Sequence, residues 1–196
     1  MKPVARMDVD GMGMGKRPAT YADLEELPPN MVGEIIAGEL YTSPRPAMPH
    51  TLLTTELAFE LLGPFHRGQG GPGGWRILIE PELHLQGDVL VPDFAGWRRE
   101  RLPTAPKGAA LTLAPDWVCE ILSPSTEARD RASKLPIYAR EGVPHVWLLD
   151  PELRTLEVFR LDGAHYVLLA THTGDARVRV EPFDAIELEL KALWGE

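Results

Sequence analysis

The chain has 196 residues, 44% hydrophobic and 25% charged, with a formal net charge of −9, the composition of an ordinary globular domain able to bury roughly 70% of its unfolded surface. The lone cysteine, Cys119, excludes an internal disulfide framework and suits a reducing cytoplasm, and no apolar run reaches the ~18 residues of a membrane span. The acidic balance works against indiscriminate binding of phosphate backbones, since that affinity comes from basic residues.

Residues 1–18 read as a flexible tail: they lack the apolar centre of a signal peptide and carry a Gly11-Met12-Gly13-Met14-Gly15 alternation. Residues 19–196 are read as one domain. A short helix is predicted from Thr20 to Leu27, stopped by Pro28-Pro29. Glu34-Ile35-Ile36 and Glu39-Leu40-Tyr41 around Ala37-Gly38 predict a tight hairpin. Ser43 to Pro49 reads as a proline-rich loop, and Leu53, Leu57 and Leu61 predict a helix over Thr51 to Leu62, ended by Gly63-Pro64. The glycine-rich stretch from Gly68 to Gly74 has no lysine and no strand-to-helix context, so it is a turn and not a phosphate-binding loop.

Strands are then predicted at Ile77 to Leu85, Val89 to Trp97 and Trp117 to Leu122, with Gly87-Asp88 turning an antiparallel meander. Two of them carry one carboxylate each inside an apolar run. Asp93 shares a face with Val91 and Ala95, and Glu120 with Val118 and Leu122. Ser123-Pro124-Ser125-Thr126 opens a helix running to Glu141, bent at Pro136 and ended by Gly142. The strand Pro144 to Asp150 follows, and strand, helix and strand together predict a parallel right-handed crossover. Thr155 to Leu161, Tyr166 to Thr171 and Arg177 to Val180 are further strands, the first two joined at Asp162-Gly163; Ala185 to Leu193 is ambiguous between strand and helix.

A carboxylate in an apolar strand is costly without a cation, a donor or water to receive it. Two carboxylates ~6 Å apart repel by roughly 3 kcal/mol at an effective dielectric near 20, so such a pair shares a proton or holds a cation. Hard oxygen ligands suit Mg²⁺ or Mn²⁺. Lys134 lies far enough along the returning helix to come level with Glu120. Asp93, Glu120 and Lys134 are therefore the candidate catalytic residues, with Asp93 and Glu120 as metal ligands.

Plainer readings stand beside each. Asp93 can receive backbone N–H groups at a bulge, Glu120 can pair with Arg129 or Arg131, and Lys134 can face solvent. Glu80 is either a third acid or part of a solvated face with Glu82 and His84; Glu34 either contributes to the site or is an ordinary hairpin acid that needs no special explanation; His50 more simply caps the following helix than approaches a phosphate. Trp97, Trp117 and Trp147 read as core, Cys119 as an apolar filler. Arg98, Arg99, Arg101 and Lys107, and likewise Arg129, Arg131, Lys134 and Arg140, are either local basic patches or solvated faces.

Val91-Pro92-Asp93, the string from Trp117 to Thr126, Asp130 to Lys134 and Tyr138 to Pro151 resemble the Uma-two family of restriction-endonuclease-like proteins, of the PD-(D/E)XK nuclease superfamily. Val32 to Leu40 and His50 resemble its N-terminal portion. The resemblance implies an α/β fold with a restriction-endonuclease-like core: a central mixed β-sheet flanked by helices, with additional antiparallel strands. It also implies Mg²⁺-dependent hydrolysis of DNA phosphodiester bonds, leaving 5′-phosphates. Asp93 and Glu120 match the signature acids, and the backbone carbonyl of Ile121 would assist them at the metal. Leu122 occupies the signature lysine's position, and Lys134 matches the displaced lysine of the family. The rivals are a catalytically inactive endonuclease-like fold that binds nucleic acid or protein, and a hydrolase of small phosphoesters. A homodimer would suit cutting of both strands of a duplex.

Overall fold

A computed structural model describes residues 17–44 and 46–195; the expected tail, including Gly11 to Gly15, lies outside the described residues apart from Arg17 and Pro18. The chain begins with a short helix α1 (Tyr21–Glu25), whose Asp23 carboxylate accepts hydrogen bonds from Thr20 N and Oγ1. The hairpin β1 (Met31–Ile36) and β2 (Glu39–Pro44) forms as predicted, around Ala37 and Gly38 at positive φ.

Helix α2 (Met48–Leu61) starts inside the stretch expected to be a loop, with proline in its first turn, where the missing N–H costs nothing. It does not end at Gly63-Pro64. Pro64 cannot donate, and the helix continues with widened, π-helical hydrogen bonding over Leu62–Arg67 until Gly68 at φ 71°.

The expected strand Ile77 to Leu85 is two strands, β3 (Trp75–Ile79) and β4 (Glu82–Leu85). Val89 to Trp97 likewise divides into β5 (Asp88–Leu90) and β6 (Phe94–Arg98). The four form a ribbon that turns a corner between sheets: β4 pairs with β5, β3 pairs with β6, and each pair belongs to a different sheet. Pro81 and Pro92 sit at the two breaks, where each lacks the N–H a continuous ladder would need, and Glu80 takes φ 46°. Ile79 is consequently exposed rather than sharing a buried face with Leu83 and Leu85.

After β7 (Ala110–Leu111), β8 (Trp117–Ile121) enters the core. The crossover helix runs as α3 (Glu127–Arg129), a π-helical turn (Asp130–Lys134) and α4 (Leu135–Arg140), so the irregularity that Pro136 imposes lies in the turn before it. The chain continues through β9 (His145–Asp150), β10 (Thr155–Asp162), β11 (His165–Thr173) and β12 (Arg177–Val178). The ambiguous last segment is both things: β13 (Leu188–Glu189) followed by α5 (Leu190–Leu193).

The main sheet has the order β11-β10-β9-β8-β6-β3, with β8 and β9 parallel and the remaining pairs antiparallel. A second sheet, β2-β1-β5-β4-β7, lies beyond the corner. This is the mixed α/β architecture expected. The residues of β8 alternate between two cores. Trp117, Cys119 and Ile121 pack with Leu53, Leu57 and Leu61 of α2, while Val118 packs with Ile137 and Tyr138 of α4. Trp97, Trp117 and Trp147 are core residues and Cys119 is a buried filler, as predicted. No helix among the described residues is long and apolar enough to cross a membrane.

Candidate active site

The corner of the ribbon decides where Asp93 points. Asp93 is not at a strand centre but at the start of β6, where the ladder is interrupted. Its backbone carbonyl accepts from Glu80 N at 3.0 Å, closing the corner. Its side chain turns toward β8: Oδ2 accepts from Ile121 N at 2.6 Å, and Oδ1 lies 2.9 Å from His50 Nε2. The plain expectation for Asp93, as an acceptor for backbone N–H, is thus satisfied by one oxygen, with the other facing histidine.

Glu120 shares the helix-facing side of β8 with Val118 and is 2% exposed. Its partners are neither Arg129 nor Arg131. Tyr138 Oη donates to Oε1 at 2.5 Å, and Lys134 Nζ lies 3.3 Å from both carboxylate oxygens. Arg131 instead pairs with Glu127 and Glu157. Lys134, 4% exposed, does not face solvent. Its ammonium also meets Glu34 Oε1 at 2.9 Å, and lies 3.2 Å from Asp130 Oδ1 without hydrogen-bond alignment.

Asp130, Lys134 and Tyr138 are spaced by four, so one face of the crossover helix presents all three to Glu120. That spacing is written in the sequence and would have found Asp130 and Tyr138. Glu34 carries no such signal: it comes from β1, in the other sheet, and is fixed by accepting Val91 N at 2.9 Å. His50 lies within the first turn of α2 and faces Asp93, not an N–H group of its own helix.

Burial pushes the Glu120 carboxyl well above the usual range, with Asp130, Asp93 and Glu34 adding to it against the opposing pull of Lys134. Asp130 is likewise raised by burial, against the pull of Lys134. For Lys134 burial acts downward, but Glu120, Glu34 and Asp130 outweigh it and the ammonium is held charged. His50 shows the same balance: burial lowers it, and Asp93, Glu80 and Asp130 raise it further than burial takes it down.

Asp93, Glu120, Lys134, Glu34, Asp130, His50 and Glu80 all line one cavity of about 250 Å³. Arg129, Ser43, Ser123, Ser125 and Thr126 line it as well. Four buried or half-buried carboxylates (Glu34, Asp93, Glu120, Asp130) face the two permanent cations Lys134 and Arg129 there, a surplus of two negative charges when all are ionised, which the exposed Glu80 raises to three. A divalent cation has the charge such a surplus calls for, and carboxylate oxygens are the ligands that Mg²⁺ and Mn²⁺ take. Among the described residues no three His, Cys, Asp or Glu side chains are grouped as a metal cage. Any ion here would have at most two of these side chains as ligands, and its other positions would fall to backbone, water or substrate.

The comparisons with known proteins agree in kind. The model of the Uma2 family, described as "Putative restriction endonuclease", matches residues 18–192. A crystal structure from Anabaena variabilis, described as a "putative nuclease belonging to DUF820", is 25% identical. It covers 91% of this chain and 98% of its own, with a TM-score of 0.69. No curated protein matches. The match spans nearly the whole described chain, and the protein belongs to the Uma2 family.

Proposed function

We propose that this protein is a metal-dependent nuclease of the cytoplasm, hydrolysing DNA phosphodiester bonds with Mg²⁺ or Mn²⁺. The nuclease class is supported by the family and by the nuclease-like structural neighbour. One observation carries the finer reading: Asp93, Glu120 and Lys134, separated in sequence, line the same cavity with a surplus of carboxylates. The cytoplasmic setting rests on the lone thiol of Cys119.

Asp93 and Glu120 would hold the ion, assisted by the carbonyl of Ile121. The ion would lower the pKa of a water and offset charge gathering on the phosphate. The chain's own groups fix the geometry. Ile121 N pins one oxygen of Asp93, Tyr138 pins one oxygen of Glu120, and both pins act before any ligand arrives. Lys134 stays protonated and supplies a fixed positive charge, able to orient a water or offset a developing anion. Its contact with Asp130 is not aligned as a hydrogen bond, so Lys134 can exchange that contact for a water or phosphate oxygen at little cost.

One observation favours a second reading, an inactive fold that binds nucleic acid or protein: three carboxylates already lie within 3.3 Å of the Lys134 ammonium nitrogen. A plasmid-nicking assay with Mg²⁺ and with Mn²⁺ separates the two. The wild type is expected to nick, and Glu120→Ala and Lys134→Ala to lose at least 100-fold, the scale of a removed electrostatic stabiliser. Equal residual activity in all three proteins would mean the cavity does not cut DNA.

A further inference from the structure

The cavity has a second pole, opposite in character to its carboxylates. Ser43 from β2, Ser123, Ser125 and Thr126 from the loop after β8, and Arg129 line that side. Arg129 and Lys134 are the two permanent cations among the described lining residues, and the Lys134 ammonium is already surrounded by three carboxylates. Arg129 is differently placed. Its Nη2 donates to Ser43 Oγ at 3.1 Å and its guanidinium lies 5.3 Å from the Tyr41 ring centroid. Its Nε is buried with no hydrogen-bond acceptor; Glu34 Oε2 is 3.7 Å away. A buried donor left unmatched is costly and calls for a partner.

The hydroxyls beside it also have capacity to spare. Ser123 Oγ lies 3.1 Å from Ser125 Oγ and 3.0 Å from Thr126 Oγ1. If Thr126 donates to Ser123 and Ser123 to Ser125, the exposed Ser125 hydroxyl keeps its own proton, free to turn into the cavity. A polyanion approaching four carboxylates needs a cation with unspent donors, and a planar guanidinium matches phosphate oxygens in pairs.

We infer that Arg129, with Ser125 and its neighbouring hydroxyls, forms a binding subsite for a phosphate of the substrate strand next to the one being cut. The inference rests on the nuclease reading above and names how that site holds its substrate. Its test is binding, measured apart from cleavage. A twelve-nucleotide, fluorescein-labelled DNA strand is titrated with full-length protein in Ca²⁺, which supplies charge to the carboxylates, and fluorescence anisotropy is followed across a salt series. Gels check that the strand stays intact.

Wild type is expected to bind with Arg129→Ala at least tenfold weaker. The slope of log affinity against log salt should fall by about 0.7, the value for one phosphate contact on a single strand. Arg129→Lys should restore the slope but only part of the affinity, because it keeps the charge and loses the fork. Ser125→Ala, an exposed position, should weaken binding two- to fivefold with an unchanged melting temperature. An Arg129→Ala protein that melts normally and binds with wild-type affinity and slope overturns the inference. So does a wild type that fails to bind the strand, or a loss of binding with no change of slope, which would mark Arg129 as structural. Absence of cleavage in Mg²⁺ with the Arg129 effects on binding intact would remove the nuclease reading and leave the phosphate subsite standing.

Discussion

Replacing Lys134 by methionine keeps most of the side-chain volume and removes the charge that three buried carboxylates share. At an effective dielectric near 20, each contact at 2.9–3.3 Å is worth about 5 kcal/mol before solvation is counted. Burying the ammonium takes much of that back, and removing one member of a buried ionic pair costs about 3–5 kcal/mol net. The loss depends on pH with a definite sign. Glu120 and Asp130 are held above their ordinary values of 4.5 and 3.8, so they bind protons more tightly folded than unfolded. The stability they contribute is full below those ordinary values and fades as pH rises through the folded ones. Without Lys134 both carboxyls climb further, so their stabilising contribution goes on fading to higher pH than in the wild type. Urea unfolding of wild type and Lys134→Met should therefore differ by about 3–5 kcal/mol at pH 8 and by clearly less at pH 5. A gap that is absent at pH 8, or equal at both pH values, would refute the idea that Lys134 holds these carboxylates together.

Three other outcomes follow from the same geometry. Tyr138→Phe removes the short hydrogen bond to Glu120 Oε1 and should cost about 1.5–3 kcal/mol in urea unfolding near neutral pH, the loss shrinking as Glu120 protonates. The His50 imidazole, followed by NMR, should titrate above its ordinary 6.5 and fall in Asp93→Asn, where only Glu80 and Asp130 still oppose burial; the stability it contributes is present below about 6.5 and lost as pH rises through the folded value. Mg²⁺ at 100 times its dissociation constant should stabilise the wild type by about 2.7 kcal/mol, or about 5–11 °C for a chain of this length. Glu120→Gln should show no such shift, and an equal shift in both would place the ion elsewhere.

The carboxylates on the strands were legible because a charge inside an apolar run has few innocent explanations. Glu120, ringed by Val118, Cys119, Ile121 and Leu122, is the clearest instance. Lys134 was legible only through the crossover, since strand and helix lengths bring it level with Glu120. The fold's corner was not legible, because the alternation in Ile77 to Leu85 and Val89 to Trp97 keeps its period of two across both breaks. A change of sheet does not alter which side successive residues face locally; Pro81 and Pro92 were the signals, and they carry it because neither can donate. Helix α2 ran past Gly63-Pro64 for the converse reason: a proline removes one hydrogen bond, but a π-helical turn can redistribute the rest. Glu34 was beyond reach, since its approach to Lys134 depends on how the second sheet meets the first.

That corner also ties the candidate chemistry to the fold. A ribbon changing sheets leaves backbone donors in it and on neighbouring β8 without ladder partners, and two of the site's carboxylates each take one. Val91 N goes to Glu34 Oε1, and Ile121 N at the end of β8 goes to Asp93 Oδ2. The same oxygens thus satisfy the backbone and form the charged wall of the cavity, so an alanine at position 93 or 34 conflates a lost ligand with an orphaned N–H worth about 1–3 kcal/mol. Asp93→Asn separates the two effects. Its amide oxygen can still accept from Ile121 while the negative charge is gone. If the charge is what matters, Asp93→Asn should melt close to wild type and lose nicking and the Mg²⁺ shift together. Were it to keep both, Asp93 would be a structural acceptor, and the ion would rest on Glu120 with other neighbours.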